Sequence, residues 1–254
     1  MSRRGLFVAP FDGLSEPAVL ADLAREAERC GWDGVFVWDH LVYAPPVRAI
    51  ADPWICCAAI ALATTTVQLG VMVTPLSRRR PQVLAKQAVT LDRLSGGRLV
   101  LGFGLGDDGE SRELSAFGET VDPRARAAAL DAGLDLLRGL LSGEVVDAEG
   151  ARGVRFLPTP ARPGGIPIWI GARWPNAAPL RRAARFDGAF VISVPSPDGL
   201  DLVRAAVGDG DVVVDLQPGV PGEPWAAADW VLTRLGPYEI DVEECYRVVR
   251  AGPA

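Results

Sequence analysis

QLGVMVTPLSRRRPQVLAKQAVTLDRLSGGRLVLGFGLG, residues 68–106, contains strand, loop, helix, turn and strand in that order. Val71, Met72 and Val73 form a short apolar run that stops at Thr74-Pro75. A polar loop with Arg78, Arg79 and Arg80 follows, and Pro81 has the fixed φ that suits the first turn of a helix. Leu84, Ala88 and Leu91 recur at i, i+4 and i+7, which gives that helix one buried stripe. Ser95-Gly96-Gly97 stops it, and residues 99–103 make a second apolar strand ending in Gly104-Leu105-Gly106. Two apolar strands joined by a helical crossover form a parallel βαβ unit.

The same unit recurs on both sides. Apolar runs at residues 5–10, 35–38, 166–170, 188–193, 211–216 and 230–232 bring the strand count to eight, each followed by a helical segment. Pro17, Pro53, Pro81, Pro123 and Pro197 each stand at a predicted helix start, and Asp52 and Asn176 are predicted caps. After the seventh strand a Pro/Gly-rich loop leads to a predicted short Ala-rich helix, and residues 154–157 are a candidate strand outside the repeat. Eight parallel strands with crossover helices in 254 residues predict an α/β fold, a compact (β/α)8 TIM barrel with few insertions, as one domain over residues 1–254. The competing doubly wound sheet normally carries a phosphate fingerprint in its first turn, and Pro10-Phe11-Asp12-Gly13 is not one.

Composition narrows the function. A formal net charge of −6 argues against a nucleic-acid surface. No apolar run reaches the roughly 20 residues of a membrane span, and MSRRGLFVAPFDG reads as a first strand and not as a signal peptide. Cys30, Cys56, Cys57 and Cys245 lie in apolar helical patterns without metal spacing, which predicts buried free thiols in a reducing cytoplasm. With one histidine and no ligand cluster, no metal site is predicted.

In such a barrel the chemistry sits at the C-terminal ends of the strands. His40, the only histidine, directly follows the second strand; it is either a packed residue or a proton donor and acceptor near neutral pH. Asp39 could orient it or cap a loop. Gly104-x-Gly106-x-x-Gly109 formally matches a dinucleotide pattern, yet Asp107 and Asp108 inside it would repel a pyrophosphate. Close backbone approach to a ring or a tight turn explains those glycines better, with Asp107 either accepting from a polar ligand edge or solvated. Arg78 is nearest the third strand's end and could meet an anionic group, while Gly171, Ala172 and Arg173 precede a helix N-terminus that could hold a phosphate.

Residues 74–81 (TPLSRRRP), 91–98 (LDRLSGGR) and 102–106 (GFGLG) closely resemble the bacterial luciferase-like flavin-dependent oxidoreductases, as do 31–34 (GWDG), 38–40 (WDH) and 166–171 (IPIWIG). The resemblance implies a TIM barrel that binds FMN or the 8-hydroxy-5-deazaflavin coenzyme F-420, often as a homodimer. It implies oxidation of a small organic substrate, either with O₂ and reduced flavin or by hydride exchange. It puts Asp39 and His40 beside the ring and Thr74 at the end of the third strand. A non-prolyl cis peptide behind the ring is expected at Val71–Met72. Gly106 and Asp107 are expected at the ring's polar edge, and Gly171-Ala172-Arg173 at a phosphate. Residues 145–155 and 218–224 look shorter than in relatives, which leaves less to close the mouth. An open mouth favours hydride transfer over oxygenation, which needs water excluded. The alternative is a barrel that binds flavin without turnover.

Overall fold

The computed structural model describes residues 2–238 and 241–253. The chain runs β1 (Arg3–Val8), α1 (Pro17–Arg29), β2 (Gly34–Val37), α2 (Pro53–Ala63), β3 (Gln68–Pro75), α3 (Pro81–Leu94), β4 (Leu99–Gly104) and α4 (Pro123–Leu141). It continues through β5 (Val145–Ala148), β6 (Ala151–Arg155), β7 (Ile168–Arg173), α5 (Ala177–Ala183), β8 (Gly188–Ile192), α6 (Leu200–Val207), β9 (Asp211–Leu216), β10 (Trp230–Leu235) and α7 (Val242–Ala251). Eight strands close a parallel barrel in the order β1-β10-β9-β8-β7-β4-β3-β2, as expected for a (β/α)8 fold.

The proline starts do what fixed φ allows. Pro17, Pro53, Pro81 and Pro123 each open a helix, where a missing N–H costs nothing. Asp52 accepts from the amides of Trp54 and Ile55, and Asp122 accepts from Ala125. Asn176 stands at the start of α5 without a side-chain cap, and Pro197 opens a 3-10 turn ahead of α6. After β9 the predicted Ala-rich helix is only a 3-10 turn, Glu223–Trp225. Four residues, Ala226 to Asp229, are too few there for a helix before the next strand.

Side chains alternate in and out along each strand. The interior holds Phe7, Phe36, Met72, Val100, Trp169, Phe190, Val213, Trp230 and Leu232, while Leu6, Val35, Leu69, Leu101, Ile170 and Val214 face the helices. The lower end is plugged by Arg3, whose guanidinium lies 4.5 Å over the Trp230 ring and pairs with Asp211 at 2.9 Å. Cys56, Cys57 and Cys245 are buried, and burial pushes the thiols of Cys56 and Cys245 up to about 12.

The predicted strand near residue 154 is one arm of a hairpin, β5–β6, lying outside the barrel against α4. It belongs to the connection entering β7, and its residues Val146, Ala148, Glu149 and Gly150 share a surface cleft with Leu76, Ser77 and Arg79 of the turn after β3. Lys86 of α3 donates to the carbonyl of Leu157 just beyond it.

The 91–98 motif proves structural. Asp92 is fully buried and accepts from the amides of Ala161 and Arg162. Arg98 donates to the carbonyls of Ala61, Thr64, Val67 and Ser95 and to the Thr64 hydroxyl, closing the end of α2 onto β3. Arg98→Ala strands these acceptors and is expected to cost about 2–4 kcal/mol. Thermal denaturation should show a drop of several degrees or more, and an unchanged melting temperature would refute this role.

Candidate active site

The upper end of the barrel gathers the chemistry. Arg78 ends a 3-10 turn, Leu76–Arg78, that directly follows β3, and it is buried. One guanidinium nitrogen lies 2.6 Å from Asp39 Oδ1 and another 2.9 Å from Glu113 Oε1, and both carboxylates are fully buried. Arg79 donates to both oxygens of Asp39, at 3.0 and 2.9 Å. Two guanidiniums and two carboxylates therefore balance one another. Arg78, proposed from sequence as an anion ligand, has both faces committed to the protein's own carboxylates.

His40 is held from two directions. Its Nδ1 lies 3.3 Å from Glu113 Oε1, and the amide of Leu41 donates to Glu113 Oε2 at 3.0 Å. Burial raises the pKa of Glu113; the neighbouring His40, the charge of Arg78 and the Leu41 amide outweigh it and hold the pKa below the ordinary Glu range. With Nδ1 turned to a carboxylate, Nε2 is the nitrogen left for a ligand. Asp39 neither orients the imidazole nor caps a loop; it is the counter-ion of Arg78 and Arg79. Glu113 escaped sequence reasoning because it sits in an irregular acidic segment, 107–113, with no periodic signal. The only hint was charge balance: a buried arginine needs more than one acidic partner.

Around His40 stand aromatic rings. Tyr43 lies edge-on at 4.9 Å between centroids, Phe11 at 5.9 Å and Trp38 at 6.0 Å, and Trp38 stacks on Phe7 at 5.0 Å. Tyr43 continues to Tyr238 at 5.7 Å. Burial first, then the neighbouring Tyr238, push the Tyr43 phenol up to about 12, so it stays a neutral donor.

The cis peptide lies one residue beyond the expected place, between Met72 and Val73 and not Val71–Met72. Val71 still pairs with Leu101 on β4, and Thr74 pairs with Phe103, so Met72 and Val73 are the two residues that leave the ladder. Val71 is buried on the helix-facing side, and Met72 and Val73 turn into the barrel. The glycines opposite serve that turn. A Cβ on Gly104 would come 2.6 Å from Val73 Cγ2, and one on Gly171 would come 2.9 Å from Val73 Cγ1. Gly104 thus makes room for Val73, whereas Gly106, at φ +73°, is a true turn residue. Arg126 of α4 donates to the carbonyls of Leu105 and Gly106, pinning that turn, another contact invisible in the sequence pattern.

Thr74 is fully buried, and its hydroxyl lacks a hydrogen-bond partner among the described residues. Asp107 is exposed on the rim. Ala172 turns its side chain toward the helices, while Arg173 on the next position is exposed. Among the described residues no three His, Cys, Asp or Glu side chains converge on a metal position, and no helix is long and apolar enough to cross a membrane.

Residues 7–207 match the luciferase-like monooxygenase family. The chain belongs to that family. Among sequences, it is 34% identical over 208 residues to an F420-dependent glucose-6-phosphate dehydrogenase of Nakamurella multipartita, covering 76% of this chain and 58% of that one. A second such dehydrogenase, from Rhodococcus erythropolis, is 34% identical over 198 residues, covering 73% of this chain and 55% of that one. The chain thus spans a little over half the length of these relatives. Among solved structures, monooxygenase RslO1 from Streptomyces bottropensis superimposes with a TM-score of 0.76 at 20% identity, covering 98% of this chain and 96% of that one. An F420-dependent secondary alcohol dehydrogenase gives 0.70 at 18% identity, covering 85% and 69%. At those identities the structural likeness speaks for the fold alone.

Glu113→Gln should destabilise the protein by about 3–5 kcal/mol at neutral pH, because Arg78 then keeps only Asp39. The folded-state pKa of Glu113 is depressed, so its stabilisation is present above the ordinary Glu range and lost as pH falls through the lower folded value. Urea melts of both proteins should therefore differ at pH 7 and converge in acid. A constant gap at all pH values would contradict the pairing.

Proposed function

We propose that this protein is an oxidoreductase that holds FMN or the deazaflavin coenzyme F-420 in the barrel mouth and oxidises or reduces a small organic substrate there. The single observation that carries the reading is the His40–Glu113 pair at the mouth of a luciferase-like barrel. Its relatives' names support the deazaflavin, and those of its structural neighbours include FMN enzymes.

The residues present suit a flat ring with polar edges and an anionic tail. The turned-in Met72–Val73 segment offers an apolar wall, and the unpartnered Thr74 hydroxyl offers a hydrogen bond beside it. The Gly106–Asp107 turn is the candidate for the ring's polar edge. Arg173, with the backbone of Gly171 and Ala172, is the candidate for the phosphate. The bound cofactor would supply hydride acceptance or donation, chemistry no side chain here can perform. The protein's own part is proton handling. Glu113 holds Nδ1 of His40, so Nε2 takes a proton from, or gives one to, the substrate as its carbon is oxidised or reduced. Hydride exchange is the preferred mode, since the aromatic residues around His40 leave it partly exposed and water is poorly excluded.

The test is a titration of the purified protein with each cofactor, followed by absorbance and fluorescence, with binding of at least one expected. His40→Ala should keep that affinity and lose about 10²–10⁴-fold in turnover. Binding of neither cofactor would overturn the assignment, and undiminished turnover would remove His40 from it.

A homodimer is proposed as well. The sequence of α2, PWICCAAIALA, has no charged residue, and its outer stripe of Ile55, Ala58, Ala59 and Leu62 leaves Ile55 62% and Leu62 74% exposed. A second copy of α2 is the partner whose surface matches this stripe. Sedimentation should give a dimer that Leu62→Glu converts to monomer; a monomeric unaltered protein would refute it.

A further inference from the structure

Arg126 stands in the first turn of α4, is 8% exposed, and has no acidic partner among the described residues. Asp39 and Glu113 are taken up by Arg78 and Arg79, and Asp131, on the same helix, by Arg182. The Nε of Arg126 is buried without a partner. One terminal nitrogen donates to two backbone carbonyls, Leu105 at 3.1 Å and Gly106 at 2.9 Å. Two carbonyl dipoles do not neutralise a guanidinium, and an unpaired buried charge is costly. A cation kept on such terms suits a negative charge supplied from outside the chain.

The two carbonyls show where that cation is felt. The peptides 105–106 and 106–107 are trans, so each N–H points opposite to its own C=O. Both oxygens turn to one nitrogen on α4, so the N–H groups of Gly106 and Asp107 point away from that helix, toward the barrel opening. Gly106 permits this at φ +73°, and a Cβ there would come 3.0 Å from Pro75 Cβ. The turn therefore lies against the end of β3, the strand that carries the cis peptide. Among the described residues neither N–H has an acceptor. Gly106 is half-buried and Asp107 exposed, so a ligand can reach both. Two successive N–H groups of this kind form a small concavity for an acceptor oxygen. Arg126 polarises the same two peptides from their carbonyl ends, which strengthens the N–H ends as donors.

The surrounding charges do not cancel this effect. Asp107 and Glu110 are exposed and screened by water. Asp108 accepts from the amides of Leu114 and Ser115 and has Arg112 beside it. Asp122 and Arg124, at the start of α4, are exposed and opposite in sign.

We propose that Arg126 is a positioning residue that, through the Gly106 and Asp107 amides, favours the reduced form of the bound cofactor. The inference rests on the oxidoreductase reading and on the placement of the ring's polar edge at this turn. FMN and F-420 share a pyrimidinedione edge whose carbonyl oxygens are acceptors. Hydride acceptance adds two electrons and one proton to the ring, so one further negative charge arrives and is carried by that edge. Donors and a cation fixed behind it then hold the reduced form more tightly than the oxidised form.

The experiment compares dissociation constants for oxidised and reduced cofactor, read by fluorescence without oxygen, using FMN or F-420, whichever the protein takes up. The unaltered protein should hold the reduced form about tenfold or more tightly. Arg126→Gln, which keeps donors and loses the charge, should weaken the reduced form about tenfold and leave the oxidised form unchanged. For a two-electron couple that change is a fall of about 30 mV in the bound midpoint potential, which spectroelectrochemistry reads independently. Arg126→Lys keeps the charge and should keep the preference. Melting curves establish that both variants are folded. Should Arg126→Gln fail to fold, the unaltered protein and Arg126→Lys decide: a shared preference for the reduced form supports the inference, and its absence overturns it. Equal weakening of both forms in Arg126→Gln would make Arg126 a structural pin of the turn and overturn the inference. Uptake of neither cofactor removes the oxidoreductase reading and the inference with it; uptake with an unmoved ratio in Arg126→Gln removes the inference alone.

Discussion

The upper end of this barrel depends on a buried arginine. Arg78 is shared between Asp39, at the end of β2, and Glu113, in the loop after β4, and it follows β3 itself. Three neighbouring strand ends are thereby tied to one charge. Removing either carboxylate leaves a buried cation half-compensated, a cost of about 3–5 kcal/mol for such pairs. The position of His40 follows from that constraint. Asp39 precedes it in the chain and is anchored by Arg78 and Arg79, while Glu113 reaches both its ring and the amide after it. The imidazole is oriented by groups whose own places are set by ion pairing, so its aim needs no contribution from the ligand.

Opposite walls of the mouth solve different problems. On β3 and β4, inward positions beside the cis bond are glycine, and their space goes to Met72 and Val73. The result is an apolar surface without long side chains. At the top of β7, β9 and β10 the inward positions are the long, charged Arg173, Asp215 and Arg234, the last two paired with each other.

The fold was legible because its signals are local. Proline at a helix start, aspartate one residue before it, and apolar strands at regular spacing each act within a few residues, and Pro53 with Asp52 could be read directly. The short α5 and the missing helix after β9 were harder, since a loop and a 3-10 turn there share the same composition. His40 was legible as a candidate because a barrel strand end is a place with known meaning. Its partner was not. Glu113 is 73 residues away, in a segment where acidic residues abound, and only the closed barrel chooses among them. The same holds for Asp215: in sequence it is one of two acids in β9, and only the closed barrel pairs it with Arg234. The offset of one residue in the cis bond has a local cause that sequence hides, namely that Val71 keeps its place in the ladder.

On the proposed reading, proton handling at this mouth is assigned to His40, and its charged and phenolic neighbours are committed elsewhere. Both oxygens of Asp39 accept from guanidiniums, and protonating either would break a buried pair. Glu113 is held ionised by His40, Arg78 and an amide, so it orients without exchanging. The Tyr43 phenol lies too high to give up its proton near neutrality, which limits it to hydrogen bonding. Asp215 shares its carboxylate with Arg234 and faces the opposite wall. His40 remains, an imidazole whose Nδ1 faces Glu113 and whose outer nitrogen is the one left for a ligand. A single histidine held in this way is what the proposed reaction, one proton alongside a hydride, would need from the barrel.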